Sequence, residues 1–283
     1  MTSIRLMWFI QPPVAAVASG LGLVAPDAAL GVRNRSSDEQ FEALASGNAD
    51  VVVTAMDNVI AWNRRTGPGD FRIVAQIERT TPLHLVSRLG VETLADLRGG
   101  TLLVDAPDNG FVIAARALLA QAGLGEDDYA LLPAGGVKER LDALLAGQGT
   151  CTLLGPPFDA VALQAGCVRM ATLQQHYPAF PGQGLVIRKS SIEALRARLV
   201  PWLHALETAS RLLGVGDPAA LQAMEDAGYP AASLPAMAEL RPRSIVPDRE
   251  GVELLIAQRR QLGLTGADDT YDTLVDLSLL HPT

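Results

Sequence analysis

The sequence predicts an α/β protein made of two similar lobes, each built on a mainly parallel β-sheet. Apolar runs typical of strands alternate with helix-like segments as far as residue 188, and repeated βα units favour parallel sheets. In addition, residues 36–63 have the pattern of a helix, a glycine turn, a buried strand and a polar loop, and residues 137–162 repeat it one hundred positions later. This short match fits either an internal duplication or the convergence of two ordinary units.

The individual elements follow from apolar runs broken by Gly and Pro, and from helix signals such as the S-x-x-E capping box at Ser36 and Glu39. Strands are predicted at residues 4–10, 28–35, 51–54, 71–77, 83–87, 101–105, 129–132, 150–154, 167–171 and 184–188. Helices are predicted at residues 14–19, 36–46, 57–63, 91–97, 111–122, 137–146, 158–164, 192–213, 217–227, 234–240 and 249–262. Residues 272–280 fit either a strand or a helix. The chain therefore ends in a helical tail.

Composition argues against several classes of protein. A chain of 283 residues, 48% apolar and 19% charged, is globular and long enough for two domains. Its net charge of −8, with Lys138 and Lys189 as its lysines, argues against a nucleic-acid partner, which requires a basic face. No run reaches the ~18 apolar residues of a membrane span, so no membrane insertion is expected. Cys151 and Cys167 are expected to be buried thiols, and they do not indicate a metal site.

The first residues, MTSIRLMWFI, run directly into a predicted strand. They contain no basic segment, long apolar segment or small-residue cleavage site of the kind that forms a signal peptide. As written, the chain is expected to be cytoplasmic. If a leader has been removed from it, a periplasmic location is expected instead.

Several phrases of the sequence carry a resemblance to a known family. These are QFEALASGNADVVVTAMDNV, ETLADLRGGTLLVDAP, LDALLAGQGTCTLLGPPFDAVA and HYPAFPGQGLVIRKS. Together with the order of the elements, they resemble the type II periplasmic binding-protein-like family over about residues 1–210. The similar branch includes binding proteins for sulfonates, nitrate and thiamine precursors. The phrases EAL-x-x-G-x-x-D and L-x-x-L-x-G, before the two repeated strands, carry most of the match.

The resemblance implies a specific architecture. Two lobes would be joined by crossover strands near residues 83–87 and 184–188, and the helical tail would pack on lobe one. Lobe one would comprise residues 1–84 and 189–283, and lobe two residues 85–188. The ligand would lie in the cleft between them, and a membrane transporter would be a partner if the protein is exported. The same fold also occurs in cytoplasmic enzymes, including a hydroxyphthalate decarboxylase and lyases of menaquinone biosynthesis.

The carboxyl ends of parallel strands are where an α/β protein places a ligand. The residues that follow these strands, or open the next helix, supply amide, hydroxyl, carboxylate and aromatic groups. Backbone N–H groups at helix N-termini can also bind an anion. The candidate ligand-binding residues are Trp8, Gln11, Thr54, Asp57, Asn58, Asp105, Asp108, Asn109, Gly136, Pro156 and Phe158. Each has a structural alternative, because a carboxylate or amide can simply cap a helix and an aromatic ring can belong to the core.

Two residues are candidate acid–base groups if the protein is an enzyme. His84 lies on the first predicted crossover strand, and Glu78 ends the strand before it. A structural histidine and an ion pair of Glu78 with Arg79 are the simpler interpretations. The sequence contains no G-x-S-x-G, H-E-x-x-H, P-loop, C-x-x-C or G-x-G-x-x-G motif, so no cofactor is expected.

The sequence supports two hypotheses of different classes. In the first, the protein closes its two lobes on a small organic acid, sulfonate or aromatic heterocycle without transforming it, as a solute-binding component does. In the second, it is a cytoplasmic enzyme of the same fold, similar to a decarboxylase or lyase, that acts on a small carboxylate, either aromatic or aliphatic. The arginine expected nearest to the cleft is Arg79, so an anion would depend mainly on backbone N–H groups.

Overall fold

The computed structural model describes residues 3–65, 70–91 and 93–280, and within them ten strands form two five-stranded sheets. The first sheet consists of β1 (Ile4–Trp8), β2 (Ala29–Arg33), β3 (Val51–Ala55), β4 (Phe71–Gln76) and β10 (Gln183–Arg188), in the order β2-β1-β3-β10-β4. The second consists of β5 (His84–Ser87), β6 (Thr101–Val104), β7 (Ala130–Pro133), β8 (Cys151–Leu154) and β9 (Val168–Thr172), in the order β7-β6-β8-β5-β9. Each sheet has one antiparallel strand, β10 or β5, among parallel ones. The predicted fold of two mainly parallel α/β lobes is confirmed.

The helices surround both sheets. They are α1 (Pro13–Gly20), α2 (Ser37–Ser46), α3 (Asp57–Trp62), α4 (Val112–Gln121), α5 (Val137–Leu145), α6 (Phe158–Gln164), α7 (Leu173–His176), α8 (Ile192–Gly214), α9 (Pro218–Asp226), α10 (Leu234–Ala238), α11 (Arg249–Gln261) and α12 (Tyr271–Leu274). The helix predicted at 91–97 is wrong in length: the structure has only a 3₁₀ turn, Leu94–Leu97, and residue 92 lies outside the described residues. The ambiguous segment near the C-terminus begins as α12 and then forms a bridge from Val275 to Ile73.

The capping of α2 shows how the sequence fixes one of these elements. Ser36 is the N-cap, and its hydroxyl accepts a hydrogen bond of 3.2 Å from the Glu39 backbone N–H. The Glu39 carboxylate accepts from the backbone N–H of Arg35 at 2.7 Å instead of that of Ser36, so the predicted capping box is displaced by one residue. The first of these bonds satisfies an N–H group that the helix itself leaves unpaired, and the second fixes the residue before the N-cap. Gly47 ends the helix as predicted.

The repeated sequence pattern corresponds to equivalent places in the two lobes. The unit α2-β3-α3 in the first lobe matches α5-β8-α6 in the second, and β3 and β8 are each the third strand of five. The antiparallel strand of each sheet is the one that enters directly after a crossover from the other lobe. The two lobes therefore share one topology, as the repeat predicted.

The sheet pairing also refines the boundaries of the lobes. Strand β10 pairs with β3 and β4 of the first sheet, so residues 183–188 belong to that sheet, although the sequence placed them in lobe two. Strand β5 pairs with β8 and β9 and begins at His84. We therefore propose that residues 84–182 form lobe two and that the flanking segments form lobe one.

The helical tail packs on lobe one but also contacts lobe two. Helix α8 packs against α1, and its apolar residues share a core with β1 and β3. Helix α11, in contrast, packs against α4 of the second lobe. Val252, Leu255 and Ile256 of α11 belong to one apolar cluster with residues of both lobes, including Ile113 and Leu118. The prediction that the tail packs on lobe one thus omitted its contact with lobe two.

Two further sequence predictions concern the helices and the thiols. In the part of the chain that the structure describes, no helix is both long enough and apolar enough to cross a bilayer. Cys151 and Cys167 are free thiols. Cys151 is buried, and burial raises its pKa to about 12. Cys167 is only half-buried, contrary to the expectation that both would be buried.

Candidate functional site

A cavity of about 150 Å³ lies between the lobes, at the carboxyl ends of β3, β6 and β8. Strand β3 belongs to the first sheet and β6 and β8 to the second, so both lobes contribute to the cavity wall. In each sheet the carboxyl ends of the parallel strands lie along one edge, and the cavity lies at that edge. Its wall is mainly apolar and includes the aromatic rings of Phe9, Phe111 and Phe158. This is the composition expected of a site for a small organic molecule, in which a few polar groups orient an apolar body.

Three polar residues form a hydrogen-bonded chain along one side of the cavity. Asn58, in the first turn of α3, donates through Nδ2 to Thr54 Oγ1 at 2.6 Å. Asn109, in the loop before α4 of the other lobe, donates through Nδ2 to Asn58 Oδ1 at 2.7 Å. All three are buried and line the cavity. These hydrogen bonds cross the cleft, so they orient the three polar groups and also join the two lobes.

Asp105 contributes a carboxylate to the cavity at the end of β6. Its oxygens accept hydrogen bonds of 3.1 and 3.4 Å from the backbone N–H of Ser37, the first residue of α2 in the other lobe. Burial raises the pKa of Asp105, while the bonds from Ser37 and the charge of Arg140 act in the opposite direction. Asp105 thus supplies charge to the cavity and a hydrogen bond that crosses the cleft.

Arg140, on α5, is the cationic residue of the cavity wall. Its guanidinium donates to Gly135 O (2.9 Å), to Thr152 Oγ1 (3.2 Å) and to Leu153 O (3.3 Å). A guanidinium has five N–H groups, so two have no partner among the described residues. No carboxylate of those residues forms an ion pair with Arg140, and burial lowers its pKa. Arg140 can therefore bind an anionic group that enters the cavity.

Sequence reasoning missed Arg140, although the repeat contained a signal. Position 140 is equivalent to Gln40, one hundred residues earlier. The buried amide of Gln40 donates to Val53 O at 2.8 Å, just as Arg140 donates to Leu153 O. The two side chains occupy matching places beside matching strands. The repeat shows that positions 40 and 140 are equivalent, but the burial of Gln40 is seen only in the structure.

Six of the eleven predicted ligand-binding residues line the cavity: Thr54, Asn58, Asp105, Asn109, Pro156 and Phe158. They come from both lobes and lie around the carboxyl ends of three strands, β3, β6 and β8. The structure brings them together, and their role in binding a ligand stays a prediction.

Three other candidates lie outside the cavity wall. Trp8 packs across Gly31 of the neighbouring strand, where a Cβ atom would lie 1.9 Å from the Trp8 ring. The Gln11 carbonyl accepts a hydrogen bond from the Tyr229 hydroxyl. Gly136 is the N-cap of α5. Trp8 and Gln11 thus contact neighbouring elements, a relationship that the sequence alone could not reveal.

The two predicted aspartates at positions 57 and 108 are also absent from the cavity wall. Asp57 is 1% exposed and forms a bidentate ion pair with Arg259 of α11, with two distances of 2.6 Å. Asp108 is exposed, and its carboxylate lies 3.3 Å from the Arg116 guanidinium. Both carboxylates are therefore committed to structural partners. Arg259 could not be anticipated because it lies 202 residues from Asp57 in sequence.

Neither candidate catalytic residue lines the cavity. His84 Nδ1 lies 3.0 Å from Thr172 Oγ1, and its Nε2 lies 3.5 Å from Asp159 Oδ2; burial and the nearby charge of Arg169 lower its pKa. The buried Glu78 carboxylate accepts hydrogen bonds from Thr81 Oγ1 (2.8 Å) and from Gln183 Nε2 (3.1 Å).

Thr81 and Gln183 line the cavity, so Glu78 contacts two residues of the cavity wall without lining the cavity itself. It forms no ion pair with Arg79, the partner that the simpler interpretation gave it, within the described ranges. Those ranges also contain no group of three or more His, Cys, Asp or Glu side chains placed to hold a metal ion.

Comparisons with known proteins agree with this architecture. A model of the NMT1-like family matches residues 35–172, whereas no curated protein matches the sequence. The ligand-binding component of an ABC-type import system from Staphylococcus aureus, solved with zinc bound, is 14% identical with a TM-score of 0.78, covering 99% of this chain and 98% of that one.

Two further solved structures are named for their ligands. The periplasmic nitrate-binding protein from Synechocystis is 13% identical with a TM-score of 0.80, covering 99% of this chain and 87% of that one. The alkanesulfonate-binding protein from Xanthomonas axonopodis pv. citri, bound to MOPS, is 17% identical with a TM-score of 0.72, covering 94% of both chains. Identities this low establish the fold, and the ligand must be argued from the cavity.

Proposed function

We propose that this chain, which has the type II periplasmic-binding-protein fold, binds a small organic anion by closing its two lobes on it. The observation that carries the proposal is Arg140, a cavity-lining guanidinium with two N–H groups that have no partner among the described residues. A planar guanidinium matches the geometry of a carboxylate and can bind it through two parallel hydrogen bonds. A sulfonate presents a similar pair of oxygens.

The size and lining of the cavity limit the rest of the ligand. A dry apolar cavity of about 150 Å³ is large enough for a benzene molecule, and this cavity has the same volume. Three phenylalanine rings, those of Phe9, Phe111 and Phe158, lie in its wall. We therefore propose a compact ligand with an apolar or aromatic body about the size of one ring and a single carboxylate or sulfonate.

A transport role follows from the same proposal. The similar structures named above include a component of an import system and two proteins named for anions. We propose that this protein likewise delivers its ligand to a membrane transporter, on the periplasmic side of the membrane. Fractionation of the native host tests the location, since recovery of the protein only with the cytoplasm would contradict it.

The alternative of a decarboxylase- or lyase-like enzyme has no comparable support. Its two candidate groups, His84 and Glu78, do not line the cavity and are bonded to Thr172, Thr81 and Gln183. An acid or base must come within hydrogen-bond reach of the proton that it transfers. We therefore propose binding without turnover.

A thermal-shift screen of small aromatic and aliphatic carboxylates and sulfonates tests the ligand class. A ligand present at 100 times its dissociation constant stabilises the protein by about 2.7 kcal/mol. Replacing Arg140 by Gln should then weaken the best anion by about ten- to one-hundredfold, since a hydrogen bond to a charged group contributes roughly 1.5–3 kcal/mol.

The matched control for this experiment is an uncharged analogue of the same ligand, such as its primary amide. Arg140→Gln should leave the affinity for that analogue nearly unchanged. Equal losses for the anion and the amide, or a strong preference for neutral ligands in the screen, would overturn the proposal. Continued heat release in calorimetry, caused by formation of a product from the bound anion, would contradict binding without turnover.

A further inference from the structure

A second depression, of about 560 Å³, lies on lobe one beside the end of β4 and shares no lining residue with the cavity between the lobes. The segment 240–248 supplies most of its lining residues and lies beside the end of β4. Ile245 O accepts a hydrogen bond of 2.8 Å from the Gln76 N–H, and Leu240 O accepts one of 2.7 Å from the Arg79 N–H. These bonds fix the depression to the sheet, so its shape is built into the fold.

Three arginines border this depression: Arg79, Arg243 and Arg249. Arg249 is oriented by Asp272 at 2.9 Å, and its guanidinium lies 4.0 Å from the centre of the Tyr271 ring. The guanidiniums of Arg79 and Arg243 form no hydrogen bond or ion pair with any residue in the described ranges. In a chain of net charge −8, most other arginines pair with carboxylates or backbone carbonyls, so two unpaired ones beside one depression are unusual.

One carboxylate also borders the depression and belongs in the charge balance. Asp248 lines it, but its Oδ2 accepts a hydrogen bond of 3.1 Å from the Gly251 N–H and caps α11. Its backbone N–H donates to Gln76 Oε1 at 2.8 Å. Asp248 is thus held by the fold. The charge of Arg249 is balanced by Asp272 and Glu253, so Arg79 and Arg243 are the two cations set against the single carboxylate of Asp248.

We propose that this depression is a second binding site, for a small molecule that carries a phosphate group or two carboxylates. Its volume falls within the range of ligand sites, and guanidiniums bind the oxygens of both groups through paired hydrogen bonds. The floor contributed by Pro242, Val246 and Leu277 offers apolar surface to the remainder of such a molecule. The proposal is independent of the ligand assigned to the cavity between the lobes.

Isothermal titration calorimetry on the full chain at low ionic strength tests the site, with inorganic pyrophosphate and citrate as the probes. We expect saturable binding of at least one probe, with one molecule per chain. Arg79→Gln and Arg243→Gln should each weaken it by at least about tenfold. The matched control is Arg211→Gln, which removes the same charge from an exposed residue of α8 in the same lobe and should leave the affinity unchanged.

Several outcomes would overturn the proposal. Absence of saturable binding by both probes is one, and equal weakening by Arg211→Gln is another, since that would indicate attraction to general surface charge. Arg140→Gln is measured in parallel, because a loss of binding in that variant alone would place the probe in the cavity between the lobes. Binding of pyrophosphate but not of citrate, or the reverse, would show whether the arginines select phosphate or carboxylate groups.

Discussion

The guanidinium of Arg259 donates hydrogen bonds of 2.6 Å to both carboxylate oxygens of Asp57, and both residues are 1% exposed. The pair also reaches across the cleft. Arg259 donates to Asp108 O at 2.9 Å, and Asp57 accepts from the Gly110 N–H at 2.8 Å. Since Asp108 and Gly110 flank the cavity residue Asn109, this ion pair joins the lobes beside the proposed ligand.

Replacing Arg259 by Met should destabilise the protein by about 3–5 kcal/mol, because it leaves the buried Asp57 carboxylate without its partner. The double variant Asp57→Asn with Arg259→Met removes both charges and should recover a large part of that loss. Urea unfolding followed by circular dichroism measures both free energies.

The neighbouring residue supplies the control for this prediction. Arg260→Met alters an exposed arginine that donates to Ala267 O, and such a substitution should change the free energy of unfolding by less than about 1 kcal/mol. If Arg259→Met proved equally mild, or if the double variant were no more stable than the single one, the buried pair would not join the lobes as described.

The two segments that join the lobes should be sensitive to one added methyl group where they meet. A Cβ atom at Gly182, just before β10, would lie 2.4 Å from the backbone oxygen of Glu78, which lies between β4 and β5. Gly182→Ala should therefore cost about 1–3 kcal/mol in the free energy of unfolding. Gly125→Ala is the control, because the nearest atom to its Cβ would be 3.9 Å away. Thermal unfolding of the two variants should differ, and similar midpoints would contradict the close approach.

Local signals were sufficient to predict most of the fold. Apolar runs and glycine turns located the strands, and the match between residues 36–63 and 137–162 identified two equivalent lobes, because both depend on residues that are neighbours in sequence. The lobe boundary predicted at residue 188 differs from the boundary proposed from the sheet pairing for another reason. Whether β10 belongs to one sheet or the other depends on its pairing with β3 and β4, which are over one hundred residues away.

The site was predicted less completely, again because some of its contacts join residues that are far apart in sequence. Thr54, Asn58, Asp105 and Asn109 lie at a strand end or shortly after one, and all four line the cavity, so the position of the strand was enough to predict them as candidates. Asp57 also lies just after a strand end. Its carboxylate, however, forms an ion pair with Arg259 of α11, 202 residues away, and does not line the cavity. Arg140 lies inside a helix, where no strand-end rule applies.

Glu78 should make the stability of the protein depend on pH. Burial raises the pKa of Glu78 above its ordinary value of 4.5, against the hydrogen bonds from Thr81 and Gln183. The folded state therefore binds this proton more tightly than the unfolded state does. Its stabilising contribution is complete below about pH 4.5 and is lost as the pH rises through the folded-state pKa.

The variant Glu78→Gln isolates this effect, because the amide cannot ionise but its oxygen still accepts from Thr81. The melting temperature of the wild type should fall relative to that of Glu78→Gln as the pH rises from 4 to 8. Each unit by which the pKa is raised corresponds to about 1.4 kcal/mol. Glu225→Gln, an exposed residue of α9, should follow the wild-type profile. A constant difference between the wild type and Glu78→Gln over this range would show that Glu78 does not titrate as inferred.

The hydrogen bond from Ser37 to Asp105 should control how readily the lobes close. Ser37 is the first residue of α2, a position where proline is well tolerated. Ser37→Pro therefore preserves the helix but removes the N–H that Asp105 accepts across the cleft. Because the apparent affinity of a ligand falls in proportion to the fraction of closed protein, we expect it to weaken by about tenfold. Small-angle scattering of the ligand-free variant should show a larger radius of gyration than that of the wild type.

Ser37→Ala separates this effect from the loss of the side chain. Alanine keeps the backbone N–H and removes the hydroxyl, which accepts a hydrogen bond of 3.3 Å from Asn109, so it should retain most of the affinity. If Ser37→Ala weakened the ligand as much as Ser37→Pro did, the hydroxyl and not the N–H would be responsible. Ser37 itself does not line the cavity, so a selective loss in the proline variant can be attributed to closure of the lobes and not to a lost ligand contact.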